Sequence, residues 1–427
     1  MSQSPIGDAE KTCPPSSAES VKQLQDEDTP LASEWNRRSI LTIIGTSCFL
    51  FCTLGLVNAF GIFQAYYSET FFTDKSLSAI SWFGSFNAFC MFAGAVVTGV
   101  LSDIYGPKWI IRAGSVMVLV GLFMTSLCTE YYQFFLAQGL LFGFGVACIF
   151  LPAFATTSLY FTKYRALALG ITIGGSSLGG VIWPIAIRRL LVEVGFGWAM
   201  RTAAFIMVPL LGIGCLTVRL PEHKKRGEKK PKPNMASMKT GAFGLLTCFM
   251  FFAAMGLFVP FFFITSYAIS IGMDPDMSFY LISILNGTSL FGRVLPGILA
   301  DRYGRFNVMV LATLFSGIIC CCMTAATSMG GIIVIAAAYG FSSGAILSLQ
   351  GACATQLVDP QTYGAAMGMM MGICSIPSLF GSPIAGELAS RYGFLATAEY
   401  GGATLLLAAA FAAASRLTQN SKLLAVV

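Results

Sequence analysis

Of the 26 lysines and arginines in this chain, only Arg201 and Arg293 fall inside long apolar runs. A charge in hydrocarbon is costly, and where one persists it marks a site or a pathway. Arg293 lies eight residues before Asp301, where its run ends in a polar turn, so it sits about 12 Å inside at 1.5 Å of rise per helical residue. A guanidinium at that depth can grip a carboxylate through two parallel hydrogen bonds, which suits an organic anion. The structural alternative is that it bonds helix carbonyls or snorkels to the surface. Asn58, Tyr267, Asn286 and Ser289 are the neutral polar residues of apolar runs that join it as candidate substrate ligands. Asn286-Gly-Thr288 matches a glycosylation acceptor, but inside a membrane span it is out of reach. Arg201 and Glu399 stand near the ends of their runs and read as local anchors.

Other chemistry is excluded. There is no phosphate loop, nucleophile constellation, metal-ligand spacing or nucleotide fingerprint, so neither an enzyme nor an ATP-driven pump is expected, with no cofactor and no metal. The one histidine, His223, lies in a basic stretch, which removes an intramembrane histidine relay. Most of the 13 cysteines lie in apolar runs with no C-x-x-C spacing and read as small hydrophobes.

The elements that must position these residues follow from composition. The 427 residues are 56% hydrophobic and only 11% charged, with a mean hydropathy of +0.73, which describes a polytopic membrane protein. Residues 1–38 are polar with no apolar run, and read as a disordered tail rather than a signal peptide. Apolar runs then fall at about 40–63, 79–101, 109–129, 132–153, 168–187 and 200–218, and again at 242–266, 279–300, 307–328, 331–352, 365–386 and 395–414. Each is near the ~20 residues that cross the hydrocarbon core. The predicted domains are the tail, a six-helix half at 39–218, a basic linker at 219–240, a second half at 241–414 and a tail at 415–427. The linker carries Lys224, Lys225, Arg226, Lys229, Lys230 and Lys232 among prolines; it reads as a cytoplasmic loop, with no nucleic-acid role. With the N-terminus inside, twenty of the 26 basic residues face the cytoplasm and only Lys75, Arg188, Arg189 and Arg391 face out, so both termini are predicted to be cytoplasmic.

The chain also repeats itself. Gly99-Val-Leu-Ser-Asp-Ile-Tyr-Gly-Pro-Lys108 returns as Gly297-Ile-Leu-Ala-Asp-Arg-Tyr-Gly-Arg305, 198 residues on (297 − 99). Each copy puts an Asp-x-Tyr-Gly after an apolar run, which reads as a tight loop at a membrane face. Gly170 and Gly174 match Gly368 and Gly372 at the same spacing, and each pair is a G-x-x-x-G that lets helix backbones approach closely.

The doubled motif resembles the loop between helices two and three of the major facilitator superfamily and its echo between helices eight and nine. That resemblance implies an all-α membrane protein with 12 transmembrane helices in two six-helix pseudo-repeats around a central substrate site. It further implies that Asp103, Gly106, Asp301, Gly304 and Arg305 form a latch, holding helix ends together on the cytoplasmic side while the carrier faces outward. Within the superfamily, several strings resemble the monocarboxylate porters, particularly the fungal branch: Gly55 to Tyr67, Ile80-Ser-Trp-Phe-Gly84, Gln138-Gly139, Gly174-Gly-Ser-Ser-Leu-Gly-Gly180 and Trp198-Ala-Met-Arg201. In the animal carriers of that family, helix one has a lysine and helix eight an aspartate one turn before an arginine. Here Arg293 matches the arginine, but Ser289 and about Ile62 stand at the other two places, and Ser33-Glu-Trp-Asn36 replaces an acidic-glycine string.

The expectation is a monomeric secondary-active carrier in the plasma membrane, moving a small organic anion or a larger weakly acidic metabolite by alternating access. Protons are the candidate coupling ion and lipid the surroundings. The incomplete lactate machinery tilts the reading toward larger, exported fungal metabolites. The alternatives are proton-linked uptake of a small monocarboxylate and a transport-silent nutrient sensor.

Overall fold

The computed structural model describes residues 34–75, 77–221, 237–358 and 362–420. The expected tail up to residue 33, the basic linker over 222–236 with His223, and the chain end at 421–427 lie outside the described residues.

The described chain is helical throughout. α1 has three segments, Arg37–Cys52, Leu54–Asn58 and Phe60–Thr70; α2 is Leu77–Tyr105 and α3 is Pro107–Thr125. α4 spans Tyr131–Ser158 through a π-helical turn at Phe135–Leu141. α5 and α6 occupy 165–194 and 196–217. In the second half, α7 has two segments, Gly241–Gly256 and Val259–Ser270; α8 is Pro275–Tyr303, α9 Arg305–Cys321, α10 Met329–Leu357, α11 Tyr363–Tyr392 and α12 Phe394–Gln419. Among the described residues eleven helical stretches are long and apolar enough to cross a bilayer, and one of them, Arg165–Thr217, turns at non-helical Gly195, which makes twelve. Helices suit this solvent because every backbone bond is made within the segment. Their starts are capped by local side chains: the Asn36 oxygen accepts from the Arg38 and Ser39 amides at 2.9 Å each, and Asp274 accepts from the Met277 amide at 3.1 Å.

The connection between the apolar runs 168–187 and 200–218 is helix up to Gly195, so α5 outruns its apolar stretch, and Arg189 and Glu193 pair one turn apart (3.7 Å) on its exposed face. Glu387 and Arg391 of α11 occupy the equivalent places with the signs exchanged, and they pair too. The Asp-x-Tyr-Gly motifs do mark tight turns, but only their glycines lie outside the helices. α2 and α8 are 29 residues long, well beyond the ~30 Å core at 1.5 Å per residue, so Asp103 and Asp301 ride on the last helical turn. Each turn is then a single glycine, Gly106 (φ 82°) and Gly304 (φ 101°); Gly195 (φ 74°) and Gly393 (φ 82°) repeat the device 198 residues apart.

The halves meet along α2 with α11 and α5 with α8. Glycine sets the spacing at both seams. A Cβ on Gly297 would lie 2.9 Å from the Ala166 carbonyl, and one on Gly99 would strike the equivalent Gly364 carbonyl. A Cβ on Gly368 would lie 2.6 Å from the Ala95 carbonyl and one on Gly170 would strike the equivalent Arg293 carbonyl. Gly174 and Gly372 face the side chains of Leu290 and Val96.

Candidate functional site

Both halves interrupt their first helix at matching places. α1 breaks at Thr53 (ψ −81°) and Ala59 (ψ 1°), and α7 breaks at Leu257 and Phe258, Ala59 and Leu257 being 198 apart. Side chains bond carbonyls at these breaks: the Trp183 indole donates to Phe51 (2.9 Å) and the Tyr339 hydroxyl to Leu257 (2.7 Å). Paired interruptions of this kind mark the binding region in membrane carriers.

A chamber lies where these breaks meet. Two adjoining cavities, of about 70 and 60 Å³, share Leu54, Asn58, Met91, Phe92, Ala254 and Phe258 as lining, so the chamber is narrow in this conformation. The polar groups of the second void are Asn58, Ser176, Gln350 and Arg293, and among the described residues no carboxylate lines either void.

Arg293 is 1% exposed. One terminal nitrogen donates to the Ile173 carbonyl and to the Ser176 hydroxyl across the α5–α8 seam, while Nε has no partner. It forms no ion pair among the described residues. A buried cation without a counterion costs several kcal/mol, and an entering anion would remove that cost. In the first void, the Asn87 amide nitrogen donates to the Gln138 carbonyl (2.7 Å) within the π-helical turn, leaving buried Asn87 Oδ1 unbonded. Tyr67 donates its hydroxyl to the Gln138 side chain at 2.9 Å. A π-helical turn redirects carbonyls and often accompanies a functional site.

The structure thus brings Arg293 and Asn58 to the chamber and sends the other three predicted ligands elsewhere. The Tyr267 hydroxyl bonds the Thr324 and Ala326 carbonyls, 2.9 Å each, and tethers α7 to the segment before α10. Asn286 bonds its own helix at Ile282 (3.0 Å) and packs against Gly180, while Ser289 meets Ser177 at 3.4 Å; both lie in the α5–α8 seam. Arg201 donates to Ser126 (3.2 Å) and lies 5.2 Å from the Trp198 ring, whereas Glu399 is exposed on α12. Sequence alone does not single out Asn87, Gln138 or Ser176 as ligands; a polar residue in an apolar run is the only signal they give.

At the end of the molecule that bears Asp103 and Asp301, each carboxylate reaches the N-terminus of a helix in the other half. Asp301 accepts from the Ala166 (3.1 Å) and Leu167 (3.0 Å) amides of α5, and Asp103 accepts from the Ala365 amide of α11 (2.8 Å). These are equivalent contacts, and a helix N-terminus favours a carboxylate. Arg305 pairs with Asp301 (3.4 Å) and donates to the Thr162 carbonyl (3.0 Å). Glu34 binds the same α4–α5 turn, accepting from the Thr162 hydroxyl and the Thr162, Lys163 and Tyr164 amides, while Trp35 packs edge-on to Phe161 at 5.0 Å. Partial burial pushes the Glu34 carboxyl up, but these donors outweigh it and its pKa is lowered.

A family model described as Major Facilitator Superfamily matches residues 45–369 and 246–426. The agnestins efflux protein of Paecilomyces divaricatus is 48% identical over 92% of this chain and 91% of its own length. An MFS-type transporter of Aspergillus fumigatus is 42% identical, covering 92% and 95%. The aspyridones efflux protein of Emericella nidulans is 40% identical, covering 90% and 79%. Among solved structures, the human organic anion transporter MFSD10 superposes with a TM-score of 0.69 over 88% of this chain and 99% of that one, at 15% identity. The transporter FucP in its outward conformation gives 0.68 over 89% and 99%, also at 15% identity. At that identity, these two share the fold.

Proposed function

The chain belongs to the Major Facilitator Superfamily, and from that premise we propose that it is a secondary-active carrier that exports an organic anion or weakly acidic metabolite by alternating access. The observation that carries this reading is Arg293, a buried guanidinium with no counterion among the described residues and an unbonded Nε, set in the wall of a chamber between the halves. Its lining suits an anion with a large apolar body, since Met, Phe, Leu and Ile surround the few polar groups. Relatives named as efflux proteins support export. The architecture is monocarboxylate-porter-like; Ile62 and Ser289 in place of a lysine and an aspartate weigh against uptake of lactate-sized acids. Asn58 and Asn87 orient the substrate, and protons supply the driving gradient. The latched end, with both termini, faces the cytoplasm of a plasma-membrane monomer, and the chamber opens outward.

The test uses purified full-length protein in proteoliposomes carrying a pH gradient, with dansyl-labelled undecanoic acid as probe. Arg293→Gln removes a charge-assisted contact of about 1.5–3 kcal/mol, so transport at sub-saturating probe falls about ten- to a hundredfold, with partial recovery in Arg293→Lys. Wild-type transport by a folded Arg293→Gln protein would refute the reading.

A further inference from the structure

The two voids of the chamber differ in chemistry. Arg293 lines the second, whereas among the described residues no charged side chain lines the first. The first instead has Asn87, 5% exposed, with its Oδ1 unbonded. Native proteins seldom leave a buried amide oxygen without a donor, and such an atom beside a binding chamber is a place for a ligand's O–H or N–H. We propose that Asn87 selects the substrate by accepting a hydrogen bond from a hydroxyl at its far end, so that the cargo is an elongated amphipathic acid ending in a phenol, with its carboxylate on Arg293 and its phenolic O–H on Asn87; this rests on the anion-carrier reading above and names its substrate class.

The π-helical turn of α4 fixes the sense of that bond. The Phe142 amide bonds the Ala137 carbonyl, five residues back, so the Gln138 carbonyl, its partner in an α-helix, is left for Asn87. A carbonyl only accepts, so the Asn87 amide turns its nitrogen to Gln138 (2.7 Å) and its oxygen is held as an acceptor. The pseudo-repeat supplies an internal comparison. The positions equivalent to Asn87 and Gln138, 198 residues on, are Leu285 and Ala336, both fully buried, so the fold of a six-helix half does not require the amide. Conversely, Ala95 stands in the first half where Arg293 stands in the second. Each half thus adds one polar ligand that its twin lacks, and the two stand at different depths. Asn87 lies eight residues (95 − 87) farther from the latched end than Ala95, about 12 Å of helical rise. A ligand that meets both groups is therefore elongated. Phe60, Phe92, Phe142, Phe258 and Phe262 line the first void, which suits an aromatic ring at the hydroxyl-bearing end.

The experiment measures how well three acids displace dansyl-labelled undecanoic acid from the full-length protein in phosphatidylcholine nanodiscs: para-hydroxyphenyl-hexanoic acid, its phenolic methyl ether and the unsubstituted phenylhexanoic acid. The ether keeps the oxygen and loses the donor, and the unsubstituted acid separates loss of the donor from added bulk. Wild type should bind the phenol about tenfold more tightly than either, equivalent to about 1.4 kcal/mol. Asn87→Leu, which installs the side chain of the twin position, should remove the phenol's advantage. Arg293→Gln should weaken all three about tenfold or more and leave their ratios unchanged. Equal affinities for the phenol and the unsubstituted acid in wild type would overturn the proposal with no variant needed, as would an advantage that survives in Asn87→Leu protein melting like wild type. Equal affinities together with transport lost in Arg293→Gln would sink the role of Asn87 and spare the carrier reading. A phenol advantage that depends on Asn87, with binding and transport indifferent to Arg293→Gln, would do the reverse, keeping the acceptor and refuting the anion site.

Discussion

Replacing Asp301 by Asn should unlatch one end of the molecule. The carboxylate accepts two backbone N–H groups at the start of α5, at 3.1 and 3.0 Å, and pairs with Arg305 at 3.4 Å in a setting where both side chains are about nine-tenths buried. Asn keeps the size and one acceptor oxygen but turns an N–H toward the other donor. The loss is one charge-assisted bond of about 2 kcal/mol plus about 0.7 kcal/mol of interaction with the helix dipole. At about 1.4 kcal/mol per decade, that is roughly a hundredfold in favour of the opened end. A closed state favoured a hundredfold would become about evenly populated. Asp103→Asn should act in the same direction through Ala365, and the two effects should add because they involve different helix ends. Pulsed electron paramagnetic resonance would read this from spin labels at exposed Tyr105 and Tyr303, with the exposed Cys248 and Cys322 first changed to serine. The variants should show a second, longer distance. An unchanged distribution in folded Asp301→Asn protein would refute the latch, whatever its effect on transport.

The remaining predictions concern the seams and the segment before α1. Gly170→Ala and Gly368→Ala each drive a methyl into a backbone carbonyl of the other half, so each should cost about 1–3 kcal/mol and lower the melting midpoint; Gly212→Ala and Gly244→Ala, which meet nothing within 4 Å, should not. Glu34 has a lowered pKa in the folded protein, so its stabilisation is complete above the unfolded carboxyl value near 4.5 and is lost as pH falls through the lower folded value. Trp35 fluorescence should therefore hold steady from neutral pH to about 4.5 and change below it, and Glu34→Gln should abolish that acid transition.

The repeat made much of the fold legible. Two copies of one motif, 198 residues apart, locate the glycine turns at 106 and 304 and the carboxylates beside them. The turns at Gly195 and Gly393 obey the same spacing but escape notice, because Arg188, Arg189 and Glu193 look like loop residues until the Arg189–Glu193 pairing along the helix is seen. Arg293 was legible because a charge in an apolar run has few explanations. Tyr267, Asn286 and Ser289 were equally visible, yet Tyr267 and Ser289 answer to carbonyls or a hydroxyl nearby, and Asn286, whose Nδ2 bonds Ile282 while its Oδ1 stays unbonded, lies in the α5–α8 seam away from the chamber; sequence does not reveal such placement. Asn87 and Gln138 show the converse. Their contact joins α2 to α4 across 51 positions, through a π-helical turn that has no composition signature.

The breaks in α1 and α7 would be loose joints if left to themselves. Each is pinned from outside, by the Trp183 indole on α5 and the Tyr339 hydroxyl on α10, and neither residue lines the chamber. The bends beside Asn58 and Phe258 are therefore held from a distance, by two rings outside the chamber lining. On the carrier reading proposed above, selectivity can be retuned from behind the chamber walls, at two positions that a survey confined to lining residues would overlook.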